Sequence, residues 1–252
     1  MGESVSRVFL MPSRFNKILV RYLTPYLWRV IARSRLYLLL LRLLVPRIQS
    51  IQDVEPATRL VYSMWGLPIR PGQIRFEIET MLRLLNQAGP KYILEIGTGN
   101  GGTLFLFSRV RGASTIISIG LHHAQFGGDY SLWKKKLYES FASSDQKIFP
   151  LRVDSHDLAT VRLVKTLLGN TMIDFLFIDG DHTYDGVKAD FELYSPLVRK
   201  GGMVAFHDIM THPPETNCEV DKLWKELREN YRYVEIVNHP DQNWAGIGVL
   251  YL

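Results

Sequence analysis

The sequence predicts a doubly wound α/β protein with a mostly parallel, seven-stranded sheet, and three observations lead to this prediction. From Tyr92 onward, short apolar runs alternate with segments of helical spacing. These runs are apolar on both faces, which is typical of parallel strands buried between helices. Two further strand-like runs close the chain and are joined by a turn-rich segment, which predicts an antiparallel C-terminal hairpin. A helical extension is predicted to precede this domain.

The extension is a basic amphipathic arm over residues 1–50. It holds nine Lys and Arg residues and a single acid, Glu3, although the net charge of the whole chain is only +5. Apolar residues recur at three-and-four spacing from Leu27, which indicates a helix that Pro46 would end. Its longest uncharged apolar run, Leu36 to Leu41, is too short to span a bilayer, and a signal-peptide pattern is absent.

Two interpretations of the arm remain open. Residues 26–45 could lie on an anionic membrane surface, since each Arg near such a surface contributes about 1 kcal/mol. Alternatively, the apolar stripe could dock on the catalytic domain or on a second copy of the chain, which would give a homo-oligomer. The expected location is the cytoplasm, with peripheral association at the inner membrane face under the first interpretation.

Residues 51–90 are predicted to be a linker followed by a lead-in helix. The stretch GLPIRPGQ is rich in turn residues. The next stretch, which Gly89 and Pro90 end, has helical spacing at Phe76, Met81, Leu82, Leu84 and Leu85.

The catalytic domain is predicted over residues 91–252. Parallel strands are expected at YILEIG, TIISIG, KIFPLRV, IDFLFID and GMVAFHD, and the final hairpin at YVEIV and AGIGVLYL. Helices are expected around residues 103–110, 131–141, 157–168, 183–197 and 220–229.

Composition excludes some classes of protein. The single cysteine, Cys218, cannot form an internal disulfide, so a reducing compartment is favoured, and zinc-finger spacing is absent. Cys218 is interpreted as an ordinary residue at a helix start. Basic residues interleaved with aromatic ones are missing from the main body of the chain, which argues against nucleic-acid binding.

Two predicted strands end in acids. Asp179 closes IDFLFID, and His207 with Asp208 closes GMVAFHD. Adjacent strands lie about 4.8 Å apart, so these side chains can reach one cation at the carboxyl edge of the sheet. His207 could instead be a hydrogen-bonded structural histidine, and Asp181 or Thr183 is expected to cap the following helix.

A glycine-rich turn follows the first strand, in ILEIGTGNGG. Glycines there let the backbone turn tightly against a ligand, and the following helix offers its N-terminus, so a nucleotide-like cofactor is expected. Gly97, Gly99 and Gly102 also satisfy the GxGxxG pattern of dinucleotide-binding proteins, so spacing alone does not choose between cofactors.

The motifs LEIGTGNGG and FIDGDHTYDGVKADFELYSPLVRKGGMVAFHD together resemble the class I S-adenosylmethionine-dependent methyltransferases. Within that class, the chain is similar to metal-dependent O-methyltransferases of sugar or phenolic hydroxyls and to the cephalosporin hydroxylase-like branch. The resemblance covers roughly residues 88–252 and implies S-adenosylmethionine and a divalent metal, Mg²⁺ above all, as cofactors. It implies a hydroxyl of a sugar, glycan or small natural product as the methyl acceptor.

The resemblance also implies roles for individual residues. The methionine end of the cofactor would be held by Glu95, Gly97, Gly99 and Gly101. The adenine would be contacted by Asp154 and Ser155. The metal ligands would be Asp179, His207 and Asp208, and His182 would be the general base. One position departs from the family, since Gly120 stands where an acid normally binds the cofactor ribose, and this loss would weaken cofactor binding about ten- to a hundredfold.

Two other classes of function stay open. Tyr184 and Lys188 have the Tyr-x-x-x-Lys spacing of short-chain, NAD-dependent dehydrogenases, although the glycines do not follow that family's pattern; a hydroxylase-like oxidoreductase is the related alternative. A catalytically degenerate protein with a scaffolding role at a membrane is the third reading, supported by Gly120 and the basic arm. The stretch FGGDYSLWKKKL, with Phe126, Tyr130 and Trp133, is either an acceptor-binding flap or a helix lead-in.

Overall fold

The computed structural model describes residues 45–63, 69–121 and 132–252. For residues 132 and 133 it describes the backbone alone. Residues Arg47–Leu252 form one compact unit. Most of the predicted arm therefore lies outside the described residues, as do Phe126 and Tyr130 of the predicted flap. Across the described part of the chain, every helix is too short or too polar to traverse a bilayer.

The elements follow the predicted order from the first strand onward. The helices are α1 (Val54–Val61), α2 (Arg75–Ala88), α3 (Gly102–Phe107), α4 (Leu132–Glu139), α5 (Leu158–Leu168), α6 (Tyr184–Tyr194) and α7 (Val220–Leu227). The strands are β1 (Tyr92–Ile96), β2 (Thr115–Ile119), β3 (Lys147–Leu151), β4 (Ile173–Ile178), β5 (Val198–His207), β6 (Arg232–Ile236) and β7 (Ile247–Tyr251). The predicted seven-stranded α/β fold is confirmed.

The sheet has the strand order β3-β2-β1-β4-β5-β7-β6. Strands β1 to β5 pair in parallel, and β7 runs antiparallel between β5 and β6, as the hairpin prediction requires. The chain reverses its winding direction between β1 and β4. In open α/β sheets, ligands bind in the crevice at such a switch point, beyond the carboxyl ends of the strands.

The segment before the first strand differs from the prediction in three respects. Residues 45–50 are helical, whereas Pro46 was predicted to mark the end of a helix. Helix α1 lies where a linker was predicted, and it buries Val54, Ala57, Thr58 and Val61 on one face. Phe76, expected on the buried stripe of α2, is 47% exposed.

A buried carboxylate on α2 fixes the loop between β6 and β7. Glu77 is fully buried and accepts hydrogen bonds from the backbone N–H groups of Asn238 and Gly246 and from the side-chain amide of Gln242. Hydrogen bonds from backbone and amide donors compensate the desolvation of a buried carboxylate. The lead-in helix therefore holds the loop that packs against the end of β5.

Candidate active site at the carboxyl edge of the sheet

The glycine-rich turn after β1 passes directly over the end of β4. Gly97, Gly99 and Gly101 all have positive φ, at 104°, 50° and 83°. A β-carbon at Gly97 would overlap the backbone carbonyl of Asp179, and one at Gly101 would overlap the ring of Tyr138. The turn therefore requires glycine for its conformation and for its close approach to the residue that follows β4.

Glu95 lies fully buried beneath this turn, on β1. The hydroxyl of Ser118 on β2 donates a hydrogen bond to its Oε2, whereas Oε1 is buried and has no partner among the described residues. Burial raises the pKa of Glu95 to about 7, against the opposing effect of the Ser118 hydrogen bond. A buried carboxylate with a spare acceptor atom fits a ligand that brings a cationic group.

Three side chains converge where β4 and β5 end. The ligand atoms of Asp179, His207 and Asp208 all lie within 4.8 Å of one another. Nδ1 of His207 is 3.1 Å from Oδ1 of Asp179 and 3.1 Å from Oδ2 of Asp208. Two ligands at about 2.1 Å on adjacent octahedral positions of one ion are separated by about 3 Å, so the spacing fits a six-coordinate divalent cation.

His182 lies between the two carboxylates. Its Nε2 is 3.4 Å from Oδ1 of Asp179, and its Nδ1 is 3.3 Å from Oδ2 of Asp208. Thr183, the next residue, caps α6 by accepting a hydrogen bond from the N–H of Gly186, as the sequence predicted. The cap fixes the start of the helix and, with it, the loop that carries His182.

The charges of this cluster stabilise one another. Burial disfavours ionisation of Asp179 and Asp208, but the positive charge of His207 and the hydrogen bonds from neighbouring histidines together outweigh it and hold the pKa of both carboxyls below its usual value. Burial likewise disfavours protonation of His182, but the hydrogen bond to Asp179 and the charges of both carboxylates raise its pKa to about 10. In the absence of a metal, His182 is therefore an imidazolium at neutral pH.

Asp208 is held in an unusual backbone conformation. Its φ is 64°, in the left-handed region that non-glycine residues rarely adopt. Its Oδ1 accepts a hydrogen bond from the N–H of Ala245 at 3.1 Å and lies 3.1 Å from Nε2 of His212. Strained residues held by their surroundings cluster at functional sites, and here the strain aims the carboxylate at the end of β4.

Three neighbours of this cluster were missed by the sequence analysis. The side-chain amide of Gln73 donates a hydrogen bond to Oδ2 of Asp179 from 106 positions earlier in the chain. His212 contacts Asp208, four residues before it. Cys218 is not an isolated helix-start residue as expected, because its side chain lies within hydrogen-bonding reach of His182 and His212.

The remaining predicted site residues lie along the same edge of the sheet. Asp154 and Ser155 follow β3, where Oδ1 of Asp154 accepts from the N–H of His156 and the carbonyl of Ser155 accepts from the hydroxyl of Tyr194. Gly120 directly follows β2, and its N–H donates to the carbonyl of Leu151.

The tyrosine–lysine pair of the dehydrogenase alternative does not face this cluster. The hydroxyl of Tyr184 donates to the carboxylate of Glu226, and Nζ of Lys188 lies over the Tyr184 ring at 5.5 Å from its centre. Tyr184 is therefore engaged with α7 at the surface, and the geometry gives that alternative no support.

Comparisons with known proteins agree with this geometry. Residues 94–209, which include the β1 turn and the ends of β4 and β5, match the model of a methyltransferase domain family. Uncharacterized protein R132 of Acanthamoeba polyphaga mimivirus is 31% identical over 154 residues, which cover 59% of this chain and 67% of that protein.

Solved structures share the fold at low sequence identity. An O-methyltransferase from Bacillus cereus in complex with S-adenosylhomocysteine superposes with a TM-score of 0.53 and 15% identity over 79% of this chain and 90% of that one. The MycE methyltransferase of the mycinamycin biosynthetic pathway, in complex with Mg, S-adenosylhomocysteine and mycinamycin VI, gives a TM-score of 0.52 and 15% identity over 79% of this chain and 53% of that one.

The sheet order and the glycine turn at its switch point define a Rossmann-like, nucleotide-cofactor protein. The domain match narrows that class further, since residues 94–209 match a methyltransferase domain and the chain shares the fold of solved O-methyltransferases.

Proposed function

We propose that the protein transfers the methyl group of S-adenosylmethionine to a hydroxyl of a sugar, glycan or small natural product, with the assistance of a divalent metal. The observation that carries the proposal is the convergence of Asp179, His207 and Asp208 at the strand ends, next to the glycine turn of the cofactor fold. A hydroxyl is a weak nucleophile until it loses its proton, and a divalent ion and a general base beside it promote that loss.

The cofactor supplies the methyl group and the leaving thioether when it is bound. In the proposal, Gly97, Gly99 and Gly101 let the backbone approach its methionine end, and Glu95 accepts a hydrogen bond from its ammonium group. The partnerless Oε1 of Glu95 supports this role. Asp154 and Ser155 are assigned to the adenine because they follow β3 at the same edge of the sheet. Gly120 cannot supply a carboxylate to the ribose, so the affinity for S-adenosylmethionine depends more strongly on Glu95.

The cluster of Asp179, His207 and Asp208 would hold the divalent ion, and the spacing of their ligand atoms fits one. When bound, such an ion acts as a Lewis acid that lowers the pKa of an acceptor hydroxyl. The MycE structure, which contains Mg and a natural product, supports the proposed ion and acceptor class by fold likeness. Mg²⁺ is the proposed ion.

His182 is the proposed general base. In the metal-free state its pKa of about 10 keeps it protonated, so it cannot accept a proton at neutral pH. The two carboxylates that raise this pKa are also two of the proposed metal ligands. A cation held by these carboxylates would offset their charge and would lower the pKa of His182 towards its usual value, so that His182 could act as a base. His182 then accepts the proton of the acceptor hydroxyl.

Substitution of His182 with alanine is expected to lower turnover about 10²- to 10⁴-fold and to change the affinity for S-adenosylmethionine less than threefold, because His182 acts on the acceptor and not on the cofactor. Formation of S-adenosylhomocysteine from labelled cofactor, with Mg²⁺ and a panel of sugar and phenol acceptors, measures turnover. Calorimetry measures cofactor affinity.

The matched control is His239→Ala, since His239 is an exposed histidine on the β6–β7 loop. It is expected to leave both quantities unchanged. Equal losses of turnover and cofactor affinity in His182→Ala would refute the assignment of the base. Turnover that is unaffected by removal of divalent ions with EDTA would refute the metal-assisted mechanism.

Cofactor affinity is expected to increase with pH. Glu95 must be ionised to hold the cofactor ammonium, and its pKa is raised to about 7 by burial, so the ionised fraction grows from pH 6 to pH 8. The affinity should therefore be about tenfold higher at pH 8 than at pH 6. In Glu95→Gln, it should be about 10- to 100-fold weaker at pH 8 and should vary little with pH. Calorimetric titrations at four pH values test this, and an unchanged pH profile in Glu95→Gln would contradict it.

A further inference from the structure

We propose that the loop between β5 and α7 completes a second metal site, formed by Cys218, His182 and Asp208 and flanked by His212, which binds a zinc-class ion. Two of these residues, Cys218 and His212, have no role in the proposed methyl transfer. The inference therefore goes beyond that function and does not depend on it.

The ligand atoms of the new site are already close together. Those of His182, Asp208 and Cys218 all lie within 4.8 Å of one another. Nδ1 of His182 is 3.3 Å from Oδ2 of Asp208. Nitrogen and oxygen ligands bind Zn²⁺ at about 2.0 to 2.1 Å, so two of them at tetrahedral positions are separated by about 3.3 Å. The observed spacing therefore matches a tetrahedral ion.

His212 flanks this group of three without belonging to it, and its Nε2 accepts a hydrogen bond from the N–H of Ala245 at 3.3 Å. Its Nδ1 lies 2.7 Å from the carbonyl oxygen of Met210, so this nitrogen carries the proton and donates it. Its Nε2 is directed at Oδ1 of Asp208 at 3.1 Å and is within reach of Cys218. Metal-binding histidines commonly donate the other ring N–H to a backbone carbonyl or a carboxylate, which fixes the ring. His212 has this arrangement.

The loop itself is shaped to bring Cys218 to the cluster. Asn217 adopts a left-handed conformation with φ of 52°, which turns the chain just before Cys218. The N–H of Glu219 then donates to the carbonyl of His182 at 2.7 Å and ties the two segments together. The side chains of Asp208 and His212 are each 8% exposed, and that of His182 is 17% exposed. With Cys218 half-buried, this group is largely shielded from solvent, as closed zinc sites are.

The donor set selects a different ion from the cluster of Asp179, His207 and Asp208. Thiolate and imidazole ligands favour zinc-class ions, whereas Mg²⁺ prefers oxygen. One thiolate and one carboxylate together balance the charge of a divalent ion.

Occupation of this site has a consequence for the proposed catalysis. The zinc-class ion would take Nδ1 of His182, the proposed base, and would share Asp208 with the first cluster. Bound zinc therefore antagonises methyl transfer, and the two sites cannot both be filled without competition for Asp208.

Cobalt titration of the metal-free full chain tests the site, because Co²⁺ replaces zinc and reports thiolate ligation by a charge-transfer band in the near ultraviolet. Cys218 is the only cysteine in the sequence, so the band has one source. The wild type is expected to show the band at one Co²⁺ per chain, together with tetrahedral bands in the visible. Zn²⁺ should displace the Co²⁺.

Variants separate the two clusters. Cys218→Ser is expected to lose the charge-transfer band and to bind Zn²⁺ at least about a hundredfold more weakly, since even changes outside the ligand sphere cost 10- to 100-fold. Asp179→Asn should keep the band. A wild-type cobalt complex without the band, or a band that persists in Cys218→Ser, would overturn the proposal. If a variant fails to fold, the wild-type spectrum alone still tests the proposal, because a cobalt complex without the band contradicts it.

The outcome is also independent of the methyltransferase proposal. If S-adenosylmethionine and Mg²⁺ bind but no thiolate band appears, the second site is wrong and methyl transfer stands. If the thiolate band appears in a protein that does not bind S-adenosylmethionine, the second metal site stands and the methyl-transfer proposal is wrong.

Discussion

Gly97→Ala is expected to lower the free energy of unfolding by about 3 kcal/mol or more and to abolish binding of S-adenosylmethionine. Alanine at a positive φ costs about 1 to 2 kcal/mol, and its β-carbon would also overlap the backbone carbonyl of Asp179. Backbone cannot move aside as a flexible side chain can, so β1 and β4 must separate at the switch point. Urea denaturation measures the stability, and calorimetry at a permissive temperature measures cofactor binding.

Gly72→Ala is the matched control for this substitution. A β-carbon at Gly72 would meet no atom within 4 Å, and the residue has no positive φ. This variant should be as stable as the wild type or up to about 1 kcal/mol more stable, because alanine restricts the unfolded chain. A Gly97→Ala protein with wild-type stability and cofactor affinity would show that the turn does not need glycine.

Asp179→Asn is expected to weaken Mg²⁺ binding by about a hundredfold or more, with a smaller effect on cofactor affinity. The substitution preserves the shape of the side chain but removes the charge of a ligand that lies 3.1 Å from Nδ1 of His207. Removal of the carboxylate also takes away the hydrogen bond that contributes to the raised pKa of His182. Calorimetric titration of Mg²⁺ into the protein loaded with S-adenosylhomocysteine measures the loss.

Asp185→Asn provides the same change of charge on the exposed face of α6, six residues along the chain. It should bind Mg²⁺ like the wild type. Equal Mg²⁺ affinities of Asp179→Asn and wild type would contradict the proposed ligand set.

Much of the fold could be predicted from the sequence because its strands are apolar on both faces and are separated by helices of ordinary length. Asp179 and Asp208 could be expected at one place for the same reason, since parallel strands end at a common edge. The segment before β1 was harder to predict from the sequence. Helix α1 spans only eight residues, and its four buried positions do not stand out from a linker rich in polar residues.

The neighbours of the cluster could not be predicted because they come from irregular segments. Gln73 reaches Asp179 from a turn-rich stretch before α2. His212 and Cys218 lie in a loop without hydrophobic periodicity, where nothing local indicates which way a side chain points. The spacing of His212 four residues after Asp208 was the one available signal. The prediction for Phe76 was wrong for another reason: its position has the helical spacing of the buried stripe, but its side chain is 47% exposed.

The central claim is that the glycine turn and the acids at the ends of β4 and β5 form one site for S-adenosylmethionine and a divalent ion. A crystal structure of the full chain with S-adenosylhomocysteine and Mn²⁺, with the ion located by anomalous scattering, tests it most directly. We expect an anomalous peak bound by Asp179, His207 and Asp208, with the cofactor sulfur beside it and Glu95 at the cofactor ammonium. A bound cofactor with no ion at these three side chains, or an ion there with the cofactor elsewhere, would contradict it.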